Sequence, residues 1–530
     1  MFYVVGSGPS GVAAARALLD GGAEVTLLDV GNECEPERLL AARQLAAEEP
    51  DSWTEAALAS IRPAVPDDGK IPLKLCYGST FPYGVSEMSA LAQNGTKCFL
   101  SLARGGLSNV WGAAVLPNHE RDLLDWPFSL SDLEPHYRAV ANLMPLAGEE
   151  DELAGQFPFH RTPQRSLRSS HLAASLLGRM RARSAQLHAA GVIFGKSRLA
   201  VRSEPSEGRG GCQYTGLCLS GCPHFAIWSS SEVLEDLMRH KRFRYEPGVM
   251  IERIRTTNGS TQVQLTGIRT ADRSVVTFVG ERAVLACGPI ATARIVFDSL
   301  GNYEDVATLQ FQPYFLLPLV ALRAAAKPDR ERLHTLAQLF LEISDPALSR
   351  HTVHLQVYTF NEFIARRVAL ATRWLGPFRT VAQRPFLGRL AVIQGYLHSA
   401  EGSGIRIQAR PGRLGRAELT LSGRVTDVTR ATINRVARKL VRHGLDIGAL
   451  PLAPLIEIGS PGDGNHVGGT FPHSSRPSRL QTDLLGQLPQ LPGVHIVDSS
   501  VLPSLGATTF TYTTMANAHR IGQALARLQS

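Results

Sequence analysis

The sequence lacks any apolar run long enough to cross a membrane, which takes about 20 residues. It also lacks a basic segment followed by an apolar one ahead of the first predicted strand, because a glycine-rich loop already begins at Gly6. We therefore expect no transmembrane segment and a cytoplasmic location, with export only alongside a partner protein.

Lysine-rich runs and nucleic-acid-binding motifs are absent as well. The 55 Lys and Arg residues against 47 Asp and Glu give a net charge of +8, but the arginines are scattered along the chain. This charge favours solubility, and we expect no nucleic-acid partner. Seven cysteines are too few for a disulfide framework in a chain of 530 residues. This length is too great for one core and predicts either two domains or one elaborated domain.

What the sequence does contain, at its start, is a dinucleotide-binding pattern. An apolar run leads into a loop with Gly6, Gly8 and Gly11, an alanine-rich helical segment follows, and a second apolar run ends at Asp29. Gly6 allows a sharp turn, Gly8 lets backbone approach a pyrophosphate, and Gly11 lets the helix pack closely on the strand. Asp29 stands where a carboxylate accepts hydrogen bonds from the ribose of adenosine. The pattern predicts a Rossmann-like unit, with any other βαβ unit as the alternative.

Two later segments also place small residues at turns. Residues 101–112 contain paired glycines and Trp111, which suits backbone that lies flat against an aromatic system such as an isoalloxazine. A glycine turn with a buried tryptophan is the alternative. Residues 282–294 have the pattern of a strand, a turn and a helix, which predicts a later strand of the dinucleotide-binding sheet.

Three cysteines, Cys212, Cys218 and Cys222, lie within eleven residues, and a proline follows the last. A CxxxCP tail occurs in iron–sulfur proteins, but the preceding CxxCxxC is missing, so a four-cysteine cluster is not indicated. Three thiolates could hold a three-iron cluster. Zinc would need a fourth ligand, for which His224 is the nearest candidate. A disulfide or plain buried thiols would equally account for the three cysteines.

The region from about 308 to 455 contains longer β-like runs. Strand alternation places polar residues on common faces, which could either contact a hydroxyl-bearing substrate or face water. These residues are His354, Gln356 and Tyr358 on one run, and Gln394, Tyr396 and His398 on another. Residues 363–379 between the two runs are basic and amphipathic, so contact with a membrane surface or a partner is an alternative to an ordinary solvated helix.

Five segments in order carry a family resemblance: GSGPSG with Asp29, GGLSNVWG, VLACGP, HVGGT, and the terminal VDSSVLPS with TMANAHRI. Together they resemble the glucose–methanol–choline (GMC) flavin oxidoreductases. The resemblance covers the flavin-binding parts, about half of the chain, while the substrate half matches poorly. It implies an α/β fold, with a Rossmann-like FAD-binding domain and an α+β substrate domain built on a mainly antiparallel sheet.

The resemblance also implies a set of cofactor-binding residues. They are Gly6, Gly8, Ser10, Gly11, Asp29, Arg104, Gly105, Gly106, Ser108, Asn109, Trp111, Ala286, Gly288, Asp498, Ser499 and Thr509. Pyranose-oxidase-like relatives carry a flavin-linking histidine just before this tryptophan. Val110 occupies that position here, so we expect FAD to be bound non-covalently.

By the same resemblance His466 is the catalytic base, which takes the hydroxyl proton as hydride leaves the same carbon for flavin N5. The family usually has a second His or Asn beside the substrate oxygen, but here that place holds threonines. We nominate Thr508, whose hydroxyl can still hydrogen-bond an alcohol, and His473 as a substitute. Gln394, Tyr396 and His398 are nominated as substrate contacts.

The spacing of Cys212, Cys218 and Cys222 is also similar to that of bacterial FAD-dependent sugar dehydrogenases, which hold a 3Fe-4S cluster. Such a cluster would pass electrons to an acceptor protein rather than to oxygen. The predicted substrate is a hydroxylated small molecule, most readily a sugar or glycoside. The alternatives are a non-redox flavoenzyme such as a mutase or isomerase, and an electron-transfer subunit without its own substrate.

The expected domain organisation is discontinuous. Residues 1–120, 195–305 and 455–530 are assigned to the FAD-binding domain, and residues 121–194 and 306–454 to the substrate domain.

Overall fold

A computed structural model describes residues 1–62, 74–83, 91–206, 208–256, 262–378, 383, 386–412 and 416–528. Within these residues, a parallel sheet of five strands contains the predicted dinucleotide-binding unit. Its strands, in spatial order, are Val494–Ile496, Arg282–Leu285, Phe2–Val5, Val25–Leu28 and Phe243–Glu246. All neighbours run parallel, which confirms the Rossmann-like sheet.

The first helix, Pro9–Asp20, begins directly after Gly8 and ends at Gly21. Proline suits the first helical position because its missing N–H would have no partner there. The alanines of this helix allow close packing against the C-terminal helix Thr511–Arg527, whose Gly522 has so little room that an added Cβ would lie 2.7 Å from the Ala14 carbonyl oxygen. Small side chains therefore hold the two helices against the parallel sheet.

A seven-stranded sheet forms the other half of the described structure, and all its neighbouring strands are antiparallel. Its strands are Ala449–Pro451, Tyr314–Ala321, Leu390–Leu397, Val353–Tyr358, Leu339–Ile343 and Val192–Lys196 in order, with Glu457–Ile458 beside Tyr314–Ala321. The helices His171–Arg181 and Asp427–Arg442 pack on its apolar face. The predicted α+β half on an antiparallel sheet is confirmed.

The described residues contain three further sheets. Their members are Val249–Thr256, Val263–Arg269 and Val275–Gly280; Val467–Gly468, Val306–Phe311, Ile405–Pro411, Ala417–Ser422 and Leu91–Asn94; and Ala147–Gly148 with Gln164–Arg165. Further helices are Pro36–Ala47, Glu55–Ile61, Leu130–Ala141, Ser184–Ala189, Ser230–Leu237, Pro289–Leu300, Glu362–Ala371 and Gly444–Ile447.

The basic segment predicted at 363–379 forms the helix Glu362–Ala371, followed by a 3-10 segment at Arg373–Phe378. Residue 379 lies outside the described residues. Among the helices that the structure describes, none has both the length and the apolar character needed to cross a membrane.

Candidate functional site

A cavity of about 420 Å³ lies where the parallel sheet meets the polar face of the antiparallel sheet. It brings together twelve of the predicted cofactor residues with the predicted base and two predicted substrate residues. Those lining it are Gly6, Gly8, Ser10, Asp29, Gly106, Ser108, Trp111, Ala286, Gly288, Asp498, Ser499, Thr509, His466, Gln394 and Tyr396. Segments that are far apart in the sequence therefore form one site.

Two helix N-termini face this cavity, at Pro9 and at Pro289, and each is preceded by a glycine. A Cβ added at Gly8 or at Gly288 would meet no atom within 4 Å, so open space lies beside both backbones. Backbone N–H groups at a helix start attract phosphate oxygens. The two loops therefore offer a cradle that suits a pyrophosphate.

Gly11 has a different role, because a Cβ there would lie 1.9 Å from the carbonyl oxygen of Gly6. It does not line the cavity but allows the helix to pack on the turn below it. Gly6 itself has a φ of +101°, which other residues rarely adopt. The turn at Gly6 and the close packing at Gly11 have the expected geometry, and the pyrophosphate contact of Gly8 stays a prediction.

Alanine at positions 8 and 11 should therefore affect different properties, cofactor binding at position 8 and stability at position 11. Gly8→Ala is expected to keep the fold, because its φ of −62° suits alanine, but to weaken FAD binding about tenfold or more. Gly11→Ala is expected to destabilise the fold by about 1–3 kcal/mol or more, because its Cβ overlaps backbone. Thermal unfolding of apoprotein and FAD titration measure the two effects. Equal FAD affinity in Gly8→Ala and wild type would contradict the cradle.

Asp29 is buried at the end of its strand and lines a second, smaller cavity of about 80 Å³ that adjoins the first. The Ser7 hydroxyl donates to its carboxylate and itself accepts from the Gly105 N–H at 2.9 Å. Burial raises the pKa of Asp29 to about 7, although the hydrogen bond from Ser7 acts to lower it. A buried carboxylate in this place suits the ribose and adenine half of a dinucleotide.

The loop with the paired glycines is held by its own polar groups. The Asn109 amide donates to the Arg104 and Gly106 carbonyls at 2.9 and 2.7 Å, and the Trp111 indole donates to the Trp228 carbonyl at 2.9 Å. The Arg104 guanidinium pairs with Glu33 at 2.8 Å. Arg104, Gly105 and Asn109 thus shape the loop without lining the cavity, whereas Trp111 lines it.

Asp498 is also buried, and its carboxylate links the Gly288 loop of the cradle to the C-terminal segment. It accepts from the Gly288 N–H at 2.9 Å and the Thr292 hydroxyl at 2.6 Å, and its other oxygen accepts from the Ser500 N–H at 2.9 Å. Burial raises its pKa, while these donors oppose the shift. Asp498 therefore fixes the helix start at Pro289 against the C-terminal segment.

The imidazole of His466 lies against two aromatic rings of the cavity. The Tyr396 ring is stacked on it, with centroids 4.9 Å apart, and Phe510 meets it edge-on at 5.4 Å. Burial lowers the pKa of His466 to about 4, and the nearby His354 contributes in the same direction. The imidazole is therefore neutral at pH 7 and able to accept a proton.

Gln312, which the sequence did not single out, sets the proton position on this imidazole. Its side-chain nitrogen donates to the Gly506 and Thr508 carbonyls, the latter at 2.9 Å, so its oxygen must face His466. That oxygen lies 2.5 Å from Nδ1 of His466, which must then carry the proton. The lone pair is left on Nε2, as a base requires.

Of the two threonines in the C-terminal loop, it is Thr509 that reaches the cavity, where its hydroxyl donates to the Ala114 carbonyl at 2.8 Å. Thr508 is fully buried, and its hydroxyl faces Asn118 at 3.3 Å. Thr508 contributes through its carbonyl, which accepts from Gln312. The nominated Thr508 therefore does not line the cavity, whereas Thr509, predicted as a cofactor residue, does.

Two nominated histidines also lie outside the cavity lining. His473 has both nitrogens occupied, since Nδ1 lies 2.6 Å from the Asp483 carbonyl and Nε2 lies 3.1 Å from the Asn517 amide. His398 stacks on His351 with centroids 3.5 Å apart. Neither residue lines the cavity where His466 is found.

The three cysteines lie on a loop whose Leu219 lines the cavity. Cys218 is buried and its sulfur accepts from the Thr335 N–H at 3.4 Å. Burial, and to a smaller extent the neighbouring Cys218, raises the pKa of Cys212 to about 12 and that of Cys222 to about 11. None of the three forms a disulfide.

Lys74 is a further cavity residue that the sequence did not single out. Its ammonium donates to the Trp111 carbonyl, and burial lowers its pKa to about 8. In the sequence, only the aromatic residues that follow it, Tyr77, Phe81 and Tyr83, could have drawn attention to it.

No protein-family model matches the chain. Over 555 aligned residues it is 22% identical to a paromamine 6'-oxidase of Streptomyces fradiae, covering 99% of this chain and 90% of that protein. It is 25% identical over 309 residues to a 6'''-hydroxyparomomycin C oxidase of Streptomyces lividus, covering 57% of this chain and 50% of that protein.

Solved structures show the same fold. A pyridoxine 4-oxidase from Mesorbium loti superposes with a TM-score of 0.61 at 14% identity, over 99% of this chain and 98% of the other. A formate oxidase variant from Aspergillus oryzae, studied for its FAD modification, superposes with a TM-score of 0.63 at 12% identity, over 100% and 98%. Both matches extend over nearly the whole of this chain.

Proposed function

We propose that the chain is a glucose–methanol–choline flavin oxidoreductase, on the basis of its fold and its ordered motifs. In this proposal it oxidises an alcohol group of a small molecule with FAD. The observation that carries the proposal is the single cavity that both the glycine cradle and His466 line. A sugar or glycoside is the proposed substrate, since the relative matched along nearly the whole chain is named for oxidation of paromamine.

The residues present fit FAD. Gly8 and Gly288 leave the space that phosphates need, and Asp29 adjoins a smaller cavity suited to the adenine half. Trp111 and the loop before it would hold the flavin ring. Position 110 is a valine, so the histidine that a covalent link to the flavin would need is missing there. When bound, FAD supplies the hydride acceptor at N5.

The residues of this chain manage the proton. In our proposal Nε2 of His466 accepts the proton of the substrate hydroxyl, because Gln312 keeps the other proton on Nδ1. The stacked Tyr396 ring limits rotation of the imidazole, and burial keeps it neutral above about pH 4. General base catalysis of this kind typically contributes about 10²–10⁴-fold to a rate.

Anaerobic mixing with candidate alcohols tests the proposal. Holoenzyme is mixed with D-glucose, methyl glucosides and paromamine, and the flavin absorbance near its visible maximum is followed. We expect at least one of them to bleach it. A flavin that stays oxidised with every alcohol, yet is reduced by a protein donor, would favour the electron-transfer subunit; activity that appears only after chemical reduction would favour the mutase or isomerase.

The iron–sulfur cluster stays a prediction that rests on cysteine spacing. Two hydrogen bonds join the loop that contains Cys76 to the loop that contains the three cysteines. The Tyr77 N–H donates to the Ser220 carbonyl at 2.8 Å, and the Tyr77 hydroxyl donates to the Cys222 carbonyl at 2.9 Å. If a cluster is present, anaerobically purified protein contains iron and acid-labile sulfide, and Cys218→Ser removes both. Iron-free protein with bound FAD would identify structural thiols.

Four further expectations also stay predictions. They are the discontinuous domain boundaries, the cytoplasmic location, the electron-acceptor protein and the membrane-surface contact near residues 363–379. Trp374 in that segment is 78% exposed, which is compatible with such a contact.

A further inference from the structure

Four polar side chains form a row that runs from the cavity wall into the protein interior: Tyr358, Gln356, His354 and Glu342. Glu342 and His354 face each other on antiparallel strands, and strand alternation puts the other two on the same face as His354. Glu342 and His354 are fully buried, while Gln356 and Tyr358 line the cavity. A buried carboxylate is thus linked to the wall by side chains alone.

Every hydrogen bond in this row points toward the carboxylate. The Tyr358 hydroxyl donates to Oε1 of Gln356 at 2.8 Å, and the Gln356 nitrogen lies 3.1 Å from Nε2 of His354. An amide nitrogen can only donate, so Nε2 of His354 accepts and its proton is on Nδ1. Nδ1 lies 2.5 Å from Oε1 of Glu342 and donates to it. Burial raises the pKa of Glu342, and the charge and hydrogen bond of His354 oppose that shift. With Glu342 ionised, its carboxylate fixes the direction of all three bonds.

The consequence appears at Tyr358. Its single proton is committed to Gln356, so its oxygen can only accept a hydrogen bond from whatever occupies the cavity. Burial raises the pKa of this phenol, which keeps it protonated and in this role. Tyr358 lines the same cavity as Trp111, Gly112 and His466.

We propose that Glu342, acting through His354 and Gln356, fixes Tyr358 as a hydrogen-bond acceptor, so that the substrate carries a hydroxyl or ammonium donor at that point. This inference rests on the proposed function, because it assumes that the cavity takes a hydroxylated substrate. Groups that only accept, such as an ether, a carbonyl or a fluorine, are selected against there. Glu342 and His354 are positioning residues, and Tyr358 is the residue that touches substrate.

The direction of the row can be tested without any substrate. Infrared difference spectra of wild-type holoenzyme against Glu342→Gln, in H₂O and in D₂O, report whether the carboxyl group is protonated. We expect no carboxylic acid C=O band to be lost in the variant. A wild-type band that shifts in D₂O and vanishes in Glu342→Gln would show a neutral acid, would remove the driving charge, and would overturn the proposal.

The recognition step is tested with D-glucose and paromamine, each compared with its singly deoxyfluorinated analogues. Fluorine replaces the hydroxyl but cannot donate. We expect wild type to prefer the hydroxyl at one position by about 10–100-fold in kcat/KM, and Tyr358→Phe to reduce that ratio to near one at that position only. Glu342→Gln should reduce the same ratio in part.

Tyr314→Phe is the matched control, because Tyr314 lies in the same sheet but does not line the cavity. It should keep the wild-type ratios. Unchanged ratios in Tyr358→Phe, or equal changes at all positions, would overturn the proposal. If no sugar reduces the flavin at all, the proposed function fails, and the infrared result still reports on the row itself.

Discussion

His466→Asn is expected to lower the rate of flavin reduction by about 10²–10⁴-fold, while FAD binding stays near wild type. The imidazole Nε2 is the cavity atom proposed to take the substrate proton, and asparagine provides no comparable base. His466 contacts the cavity through its ring, whereas the phosphate cradle is built by Gly8 and Gly288 on other segments. Stopped-flow reduction and FAD titration therefore separate chemistry from cofactor binding.

The pH dependence of the wild type gives a second readout. Because burial lowers the pKa of His466 to about 4, the imidazole is unprotonated above that pH, and reduction should fall only as pH drops through about 4. His495→Asn is the control, since His495 is buried but lies outside the cavity, with Nδ1 bonded to the Leu485 carbonyl at 2.9 Å. A rate in His466→Asn equal to that of this control would reject His466 as the base.

Much of the fold could be predicted from the sequence because it depends on local patterns. The turn at Gly6, the alanine-rich helix and the second strand require no information from distant residues, and alternation along residues 353–358 shows which side chains share a face. His398 shows where that reasoning stops. The strand ends at Leu397, and His398 caps a 3-10 turn, so the alternation that held for Tyr396 does not extend to it.

The site was less predictable, because its geometry depends on long-range pairing. Gln312 lies 154 residues before His466, and the two meet because Phe311 pairs with Val467 across two strands. No local pattern marks a glutamine for that contact. Which of Thr508 and Thr509 lines the cavity could not be read from the sequence, since adjacent side chains point in different directions and only the backbone of the loop decides which one faces the cavity.

Gln312→Leu is expected to lower the rate of flavin reduction about 10–150-fold, equivalent to roughly 1.5–3 kcal/mol for a lost hydrogen bond to the base. Leucine has a similar size, but it leaves Nδ1 of His466 without an acceptor and frees the imidazole to change tautomer or rotate. The Gly506 and Thr508 carbonyls lose their donor as well, so the protein should also be less stable. The kinetic loss must therefore be separated from the loss of stability.

Gln310→Leu provides that separation. Gln310 lies two residues earlier and has the same side chain, whose nitrogen donates to the Pro503 carbonyl at 2.7 Å and whose oxygen accepts from Ser399 at 2.7 Å. Its loss should lower stability to a similar degree without moving His466. If the two variants slow reduction equally, Gln312 acts only on the fold. If only Gln312→Leu slows flavin reduction and alters its pH profile, the Gln312 amide oxygen sets the protonation of His466. The proposed base then depends on a partner that no sequence motif contains.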